Sequence, residues 1–271
     1  MDTSKLGIAV IAHQGHRRFL KPCIDSCKKM NPARIVVVYD ARFTAAPTHP
    51  IDRILPMYDV IQSATDWYIS DVGPRVNSWL WLSQTAMSLL KNTGVEYVLS
   101  INGDCMVGKP DGIHTIKAMM EEESATIITS DYRGEGFAGT TSYFTTIDIG
   151  LKITNHLVEN ALKPRMPDGK AFGNPEGRMG KAISIQGIVC AKNIRNPEHG
   201  QFSYGDRGTW GDVLDFNHLH GAEKWRKGNN KLPFPRECYD MRYVSGGEKE
   251  ALEYYWETGK TDRFVELGYW K

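Results

Sequence analysis

A largely apolar, uncharged run that ends in three small or polar residues constrains the fold of this chain more than any other feature. The segment from Tyr97 to Val107 reads YVLSINGDCMV and carries no charge before Asp104. Such a run is typical of a strand that is buried on both faces of a sheet. Ligands of open α/β sheets bind where the strands end, so Asn102-Gly103-Asp104 is predicted to lie at a binding edge. The same residue types also form ordinary tight turns, and that alternative stays open.

The residues upstream alternate between strand and helix patterns. A strand pattern from Ile8 to Ile11 leads into the polar loop Ala12-His13-Gln14-Gly15, and a helix pattern follows with Phe19, Leu20, Ile24 and Cys27 on its apolar face. A second strand pattern, ARIVVVYD, ends in Asp40.

Beyond Asp40 comes an irregular stretch with the short segment Tyr58 to Ile61, and then a predicted helix from about Asn77 to Lys91 that leads into the Tyr97 strand. Asn77 or Ser78 is a candidate cap for this helix. Strand, helix, strand, helix, strand predicts a parallel sheet with polar loops gathered at one edge.

The second half of the chain has weaker patterns. ATIITSDYRG predicts a strand followed by Asp131 in a loop, and SYFTTIDIGLKITNHLVENAL predicts a short strand or turn and then an amphipathic helix. Glycine and proline between Lys163 and Lys181 predict a long loop, interpreted as a lid or a disordered segment. SIQGIVCAKNI predicts a further strand, which contains Gln186 and Gly187. A last helix is predicted from Glu248 to Glu257, after Gly246-Gly247, with its aromatic residues in a core.

Composition favours one globular enzyme-sized unit. The chain has 271 residues, 41% of them hydrophobic, which is enough for one sizeable core. No apolar stretch approaches the roughly 18 to 20 residues of a membrane helix, and the N-terminus lacks a signal-peptide core, so we expect a cytoplasmic protein. Five scattered cysteines predict reduced thiols, with Cys23 and Cys27 facing the core. A net charge of +1 gives no support for a surface that grips nucleic acid throughout.

The order of these segments, with polar residues at the strand ends, resembles the GT-A nucleotide-sugar glycosyltransferases, in particular their inverting, family-two-like branch. The resemblance covers most of the chain. It implies an α/β, Rossmann-like fold with a mostly parallel central sheet flanked by helices and a C-terminal helical elaboration. It further implies a single catalytic domain over 1–271, with a nucleotide-sugar-binding half (1–107), an acceptor and catalytic half (108–235) and a C-terminal helical extension (236–271).

The resemblance also implies roles for residues at the strand ends. The loop after the first strand (Ala12, His13, Gln14) and the acid that ends the second (Asp40) would contact the nucleotide. Asn102-Gly103-Asp104 matches the family's DxD motif in part, because Asn102 replaces the first acid. Asp104 would then bind Mn²⁺ or Mg²⁺, while Asn102 and Gly103 would contact a nucleoside-diphosphate sugar, with UDP as the expected nucleotide. A cation beside the pyrophosphate offsets the charge of the leaving group.

Arg75 would also approach the donor if the resemblance holds. It stands in DVGPRVNSWLWL, just before the predicted helix, in a stretch that approaches the donor in the family. A solvated charge at a helix start is the alternative interpretation.

A second group of chemically active residues lies in TWGDVLDFNHLHGAEKWRK, from Thr209 to Lys227. Trp210-Gly211-Asp212 resembles the family motif whose acid deprotonates the acceptor hydroxyl, which makes Asp212 the candidate general base and Asp215 the reserve. Asp212 could instead cap a helix over Val213 to His218. His220 or His218 could supply an additional metal ligand, or could be a buried structural histidine.

The acceptor is open between a saccharide or lipid and hydroxymethylated bases in DNA, as in bacteriophage enzymes that modify DNA. Basic stretches at His16-Arg17-Arg18 and Lys224 to Lys231 could follow a phosphate backbone, although such runs are also ordinary solvated faces. A nucleotidyltransferase is a poor match, because the first loop lacks a Gly-rich signature with its catalytic Lys or Arg immediately after the strand. A catalytically inactive sugar-nucleotide-binding or scaffold protein is the other alternative, favoured by Asn102.

Overall fold

The computed structural model describes most of the chain. The described residues are 1–13, 16, 19–40, 67–70, 75–130, 132, 138–140, 142–161, 175–191, 214, 216–218, 236, 239, 241, 244 and 246–268. They form an α/β architecture in which helices cover both faces of a mixed, mostly parallel sheet.

The main sheet has six strands in the order β3-β2-β1-β4-β7-β6. The strands are β1 (Leu6–His13), β2 (Arg34–Asp40), β3 (Trp67–Ser70), β4 (Tyr97–Asn102), β6 (Ile127–Thr129) and β7 (Ser142–Thr146). Three neighbouring pairs are parallel, namely β2 with β3, β1 with β2, and β1 with β4, whereas β7 runs antiparallel to both β4 and β6. The predicted α/β class with a mostly parallel sheet is therefore confirmed, and β1 and β4 are the two central strands.

A short second sheet lies beside the main one. It pairs β5 (Cys105–Val107) with β8 (Phe216–His218) in antiparallel register. The alternative interpretation of Asp212, as the cap of a helix over Val213 to His218, is wrong for residues 216–218, which form a strand. The backbone of this segment is extended because it completes the ladder of β5, a contact more than a hundred residues away that local patterns do not contain.

The helices pack in two layers. They are α1 (Leu20–Lys28), α2 (Arg75–Lys91), α3 (Gly112–Glu122), α4 (Ile147–Ala161), α5 (Pro175–Ile185), α6 (Gly246–Thr258) and α7 (Asp262–Glu266). Alternate residues of β1 point to opposite faces of the sheet. Ile8 and Val10 pack with residues of α1 and α3, while Ala9 and Ile11 pack with residues of α2, α4 and α5. None of the described helices is both long enough and apolar enough to cross a membrane.

Several boundaries differ from the sequence-based expectations. Helix α2 begins at Arg75, so Asn77 and Ser78 lie inside it and do not cap it. Helix α5 occupies the second part of the predicted 163–181 loop, because Pro175 suits the first turn of a helix, where its missing N–H leaves no bond unmade. Gly246-Gly247 belongs to the first turn of α6 and does not precede it.

The strand predicted for SIQGIVCAKNI is wrong for its first residues and right at Cys190, which forms a parallel bridge with Ile127 of β6. Gln186 and Gly187 form a turn after α5, and Gly187 adopts a φ of +61° that favours glycine. The next residues run beside the start of β6, where the Thr126 N–H donates to the Val189 carbonyl at 2.9 Å. Because β6 is parallel to β4, this turn lies at the edge of the sheet where β4 begins, away from Asp104.

The C-terminal helices carry a separate hydrophobic cluster, which we call the C-terminal cluster. Its fully or nearly fully buried members are Phe19, Tyr239, Ala251, Leu252 and Phe264. The Phe19 and Tyr239 ring centroids are 5.4 Å apart, and Tyr239 in turn meets Trp256 edge-on at 5.8 Å. The predicted packing of the C-terminal aromatic residues into a core is confirmed, and the cluster ties α6 and α7 to the start of α1.

Candidate functional site

The ends of three neighbouring parallel strands bring the sequence-predicted binding residues to one edge. In the sheet register His13 stands opposite Asp40, and Ile11 stands opposite Asn102. The last residues of β1, β2 and β4 therefore lie side by side at the carboxyl edge. Open α/β sheets bind their ligands at this edge, where the loops that leave the strands can diverge in sequence without disturbing the core.

Gly103 allows an unusually close approach between the β4 turn and the end of β1. Its N–H donates to the Ile11 carbonyl at 2.8 Å, which continues the β1–β4 ladder by one bond. A Cβ at this position would stand 2.9 Å from the Ala12 Cβ and 3.3 Å from the His16 Cβ and Nδ1. The absence of a side chain at 103 is therefore what lets Ala12 and His16 pack over the turn.

Asp104 follows this turn and is almost completely buried, with 2% of its surface exposed. Its Oδ1 lies 3.6 Å from Nε2 of His16, which is itself 7% exposed. Burial of a carboxylate is costly unless a charge or a metal accompanies it. The turn therefore presents a carboxylate and an imidazole together, and this pair is the chemical centre of the candidate site.

Three buried thiols, which we call the thiol cluster, lie behind the turn: Cys23, Cys27 and Cys105. The Cys23 thiol donates to the Asn102 carbonyl at 3.7 Å, and the Cys105 Sγ lies 4.0 Å from Asp104 Oδ1. Burial, and then the neighbouring Cys27 thiol, hold the pKa of Cys23 well above its usual value. The Cys23 thiol is therefore protonated, and it supports the turn as an apolar group with a weak hydrogen bond.

The β5–β8 pair brings the backbone of His218, a residue of the second predicted group, beside the Asp104 turn. His218 stands opposite Cys105 in the ladder, one residue from Asp104. The Leu214 carbonyl accepts a hydrogen bond from the Lys109 N–H at 2.8 Å, and Leu214 is fully buried. Residues 216–218 therefore run along β5 toward the Asp104 turn, and His218, one of the two candidate ligand histidines, has its backbone next to the site.

Residues from beyond the first hundred also reach the carboxyl edge. Ser142 begins β7 opposite Ile101 of β4, so the residues just before Ser142 extend past this edge. Among them, Thr140 donates its hydroxyl to Glu176 Oε1 at 3.0 Å, and the Ala138 N–H donates to the Glu176 carbonyl at the same distance. The start of α5 is thereby fixed at the side of the sheet where Asn102 lies.

The predicted site residues divide into three groups. Ala12, Asn102, Gly103 and Asp104 are brought together at the carboxyl edge. A second group is located by its backbone alone. His13 and Asp40 end β1 and β2, Arg75 is the first residue of α2, and His218 ends β8. The third group lies outside the described residues and consists of Gln14, Asp212, Asp215 and His220. Also outside them are Asp131, the segment 58–61 and residues 163–174 of the predicted lid.

His16, Thr140 and Glu176 were not among the sequence-predicted site residues. His16 stood out only as part of the basic stretch with Arg17 and Arg18. No local signal marks it as a partner of Asp104, because 88 positions separate the two residues in the chain. Glu176 fell inside the predicted loop, and only the helix that begins at Pro175 explains its position.

The types of side chain at the centre fit a divalent cation. Asp104 supplies an oxygen, which Mg²⁺ and Mn²⁺ prefer, and His16 supplies a nitrogen that suits later transition metals. Within the described part of the chain, no group of three or more His, Cys, Asp or Glu side chains is arranged to hold a metal. Two donors are thus in place there, and further ligands would have to come from elsewhere, with His218 and His220 as the candidates.

No model of a known protein family and no curated protein matches this chain.

Proposed function

We propose that this chain is a metal-dependent, inverting glycosyltransferase of GT-A type. The reaction would move a sugar from a nucleoside-diphosphate donor, with UDP as the expected nucleotide, to an acceptor hydroxyl. Inversion at the anomeric carbon is expected from the family-two-like resemblance alone. The observation that carries the proposal is the position of the buried Asp104 carboxylate, on the turn after β4 and beside the ends of β1 and β2.

The proposal assigns a residue of suitable chemistry at the strand ends to each donor group. The ends of β1 and β2, with His13 and Asp40, offer hydrogen-bonding groups for a base and a ribose. Asn102 contributes an amide next to Asp104. Asp104 would hold a divalent ion, which when bound supplies positive charge against the pyrophosphate of the leaving group. Asn102 would hydrogen-bond the donor without adding a second negative charge.

The acceptor side of the reaction depends on Asp212. A carboxylate placed beside the acceptor hydroxyl takes its proton as the new bond forms, and a base of this kind typically contributes about 10²–10⁴-fold to the rate. Trp210-Gly211-Asp212 resembles the family motif that carries this base. On this resemblance the proposal assigns the general base to Asp212, with Asp215 as the second candidate.

The decisive experiment measures nucleoside-diphosphate release from UDP-, GDP-, CDP- and TDP-sugars with Mn²⁺ or Mg²⁺, with and without hydroxymethylated DNA. We expect release from one donor that is lost in Asp104→Asn. The matched control is Asp148→Asn, because Asp148 is exposed and lies in the first turn of α4, at the opposite edge of the sheet. Release that requires the DNA identifies a DNA-modifying enzyme, and release without it directs the acceptor search to glycans and lipids.

Several outcomes would contradict the proposal. Absence of release and of binding for every donor would favour a different function, and binding without release would favour the inactive sugar-nucleotide-binding alternative. Retained release in Asp104→Asn would refute the role of Asp104. For Asp212→Asn we expect lost transfer with donor binding retained, and lost donor binding would assign this residue another role.

A further inference from the structure

We propose that His16 is the second protein ligand of the divalent cation at Asp104, in the place of the carboxylate that Asn102 does not supply. The inference rests on the metal-dependent activity proposed above, since it concerns the same site. It makes the metal site a mixed oxygen and nitrogen site that is built from the ends of two central strands. A consequence is a stronger preference for Co²⁺ over Mg²⁺ than a site made of oxygen alone would have.

The spacing of the two groups supports shared coordination. Asp104 Oδ1 and His16 Nε2 are 3.6 Å apart, which is longer than a hydrogen bond. Two ligands that each stand about 2.1 Å from one ion are about 3.0 to 3.4 Å apart at octahedral or tetrahedral angles. A movement of a few tenths of an ångström would bring both atoms within bonding distance of a single cation.

The position of His16 is fixed by the fold around it. The Phe19 N–H donates to the His16 carbonyl at 2.8 Å, and the Phe19 ring packs in the C-terminal cluster. On its other side, His16 packs over Gly103, where a Cβ would come within 3.3 Å of its ring. A ligand held on both sides loses little conformational entropy on binding, which favours metal affinity.

The burial of both groups supports the same assignment. Asp104 is 2% exposed and His16 is 7% exposed, so both side chains have given up nearly all of their contact with bulk water. A buried carboxylate is retained when it is paired or coordinates a metal. An imidazole at coordination distance from the same ion would share that compensation and would leave His16 neutral in the loaded site.

An imidazole ligand changes which ions are preferred. Mg²⁺ favours oxygen ligands and retains its waters, whereas Co²⁺ and Zn²⁺ accept imidazole readily, and affinity rises from Mn²⁺ to Co²⁺. We therefore expect the protein to bind Co²⁺ more tightly than Mn²⁺ and Mn²⁺ more tightly than Mg²⁺. Replacement of His16 should reduce affinity for Co²⁺ far more than affinity for Mg²⁺.

The test measures metal binding directly and needs no substrate. Co²⁺ binding is followed by titration calorimetry and by visible absorption, and Mn²⁺ binding by electron paramagnetic resonance, on the full chain. We expect His16→Ala to weaken Co²⁺ binding by at least about 10-fold, since even the loss of outer-shell partners costs 10- to 100-fold. The matched control is His114→Ala on α3, an exposed histidine that contacts the Met1 amino group and should leave Co²⁺ binding unchanged.

A second variant tests whether any loss of Co²⁺ binding comes from misfolding. His16→Gln retains a polar side chain of similar length, and circular dichroism and urea unfolding establish that each variant is folded. His16→Glu should bind Mg²⁺ and Mn²⁺ more tightly than His16→Ala does, with a smaller preference for Co²⁺ than the unaltered protein has. Folded His16→Ala and His16→Gln that bind Co²⁺ like the unaltered protein would overturn the assignment.

The experiment separates this inference from the proposed function. Metal binding that depends on His16 and Asp104, in a protein that releases no nucleoside diphosphate, would keep the ligand assignment and refute the transferase. Release that needs Asp104, in a protein whose Co²⁺ affinity does not depend on His16, would keep the transferase and refute the ligand assignment.

Discussion

Replacement of Gly103 by alanine tests whether the close packing at the β4 turn builds the site. The new Cβ would stand 2.9 Å from the Ala12 Cβ, whereas carbon atoms in favourable contact are about 3.5–4.0 Å apart. The Ala12 Cβ is attached directly to the β1 backbone and has no rotamer into which it can move. The central strands must therefore separate, or His16 must be displaced from the turn.

The expected magnitude follows from comparable cases of overpacking. A methyl group forced into a fully packed position destabilises a protein by about 1–3 kcal/mol. The φ angle of Gly103 is not in the left-handed region, so steric overlap is the only source of the cost. We expect Gly103→Ala to lower the free energy of unfolding by this amount and to weaken Co²⁺ binding, because the displaced His16 no longer faces Asp104.

Two other glycines provide matched controls for the same chemical change. Gly246 lies at the start of α6, where an added Cβ would meet no atom within 4 Å, so Gly246→Ala should be neutral or slightly stabilising. A Cβ at Gly150 would stand 2.9 Å from Met87 Sδ, but this flexible side chain can move aside, so the cost should be intermediate. Urea unfolding of the three variants gives the ranking, and a Gly103→Ala protein as stable as Gly246→Ala, with unchanged Co²⁺ affinity, would refute the reasoning.

Three further predictions concern the core. Phe264→Ala should lower the free energy of unfolding by about 3–5 kcal/mol, since Phe264 is fully buried in the C-terminal cluster. Val265→Ala, at a 54% exposed position, should change it little. Urea unfolding measures both variants. Burial raises the pKa of Tyr143 from 10.0 to about 12, so between these pH values the folded state retains a proton that the unfolded state releases. The free energy of unfolding should therefore fall as the pH rises from 10 toward 12. In urea titrations above pH 10, Tyr143→Phe should lose less stability than the unaltered protein. The thiol cluster should resist alkylation in the folded protein and react in urea, as followed by mass spectrometry, and rapid labelling of the folded protein at pH 8 would contradict its burial.

The elements that local patterns describe well were predictable from the sequence. The strands that end at His13, Asp40 and Asn102 consist of apolar runs long enough to identify a buried strand, and their parallel arrangement follows from the helices between them. The edge position of Asn102-Gly103-Asp104 was predictable for the same reason. The roles of these residues in catalysis and donor binding stay predictions.

Long-range contacts account for what the sequence did not reveal. Strand β3 has four residues and gains its place only by pairing with β2. Strand β8 is extended because β5 needs a partner, although its residues also fit a short helix. His16 meets Asp104 because Gly103 leaves space for it, a relation between side chains that no periodicity encodes.

The pairing of β5 with β8 and the packing of Phe19 against Tyr239 have a consequence for the biosynthesis of the protein. The turn that holds Asp104 is made early in translation, but its supports come from residues more than a hundred positions later. Contacts of such large sequence separation form slowly, because a long loop must close first. A ribosome-bound chain that ends before Tyr239 would therefore carry the central strands without the finished site, and the metal affinity proposed above would be acquired only after the residues around Tyr239 have emerged and docked.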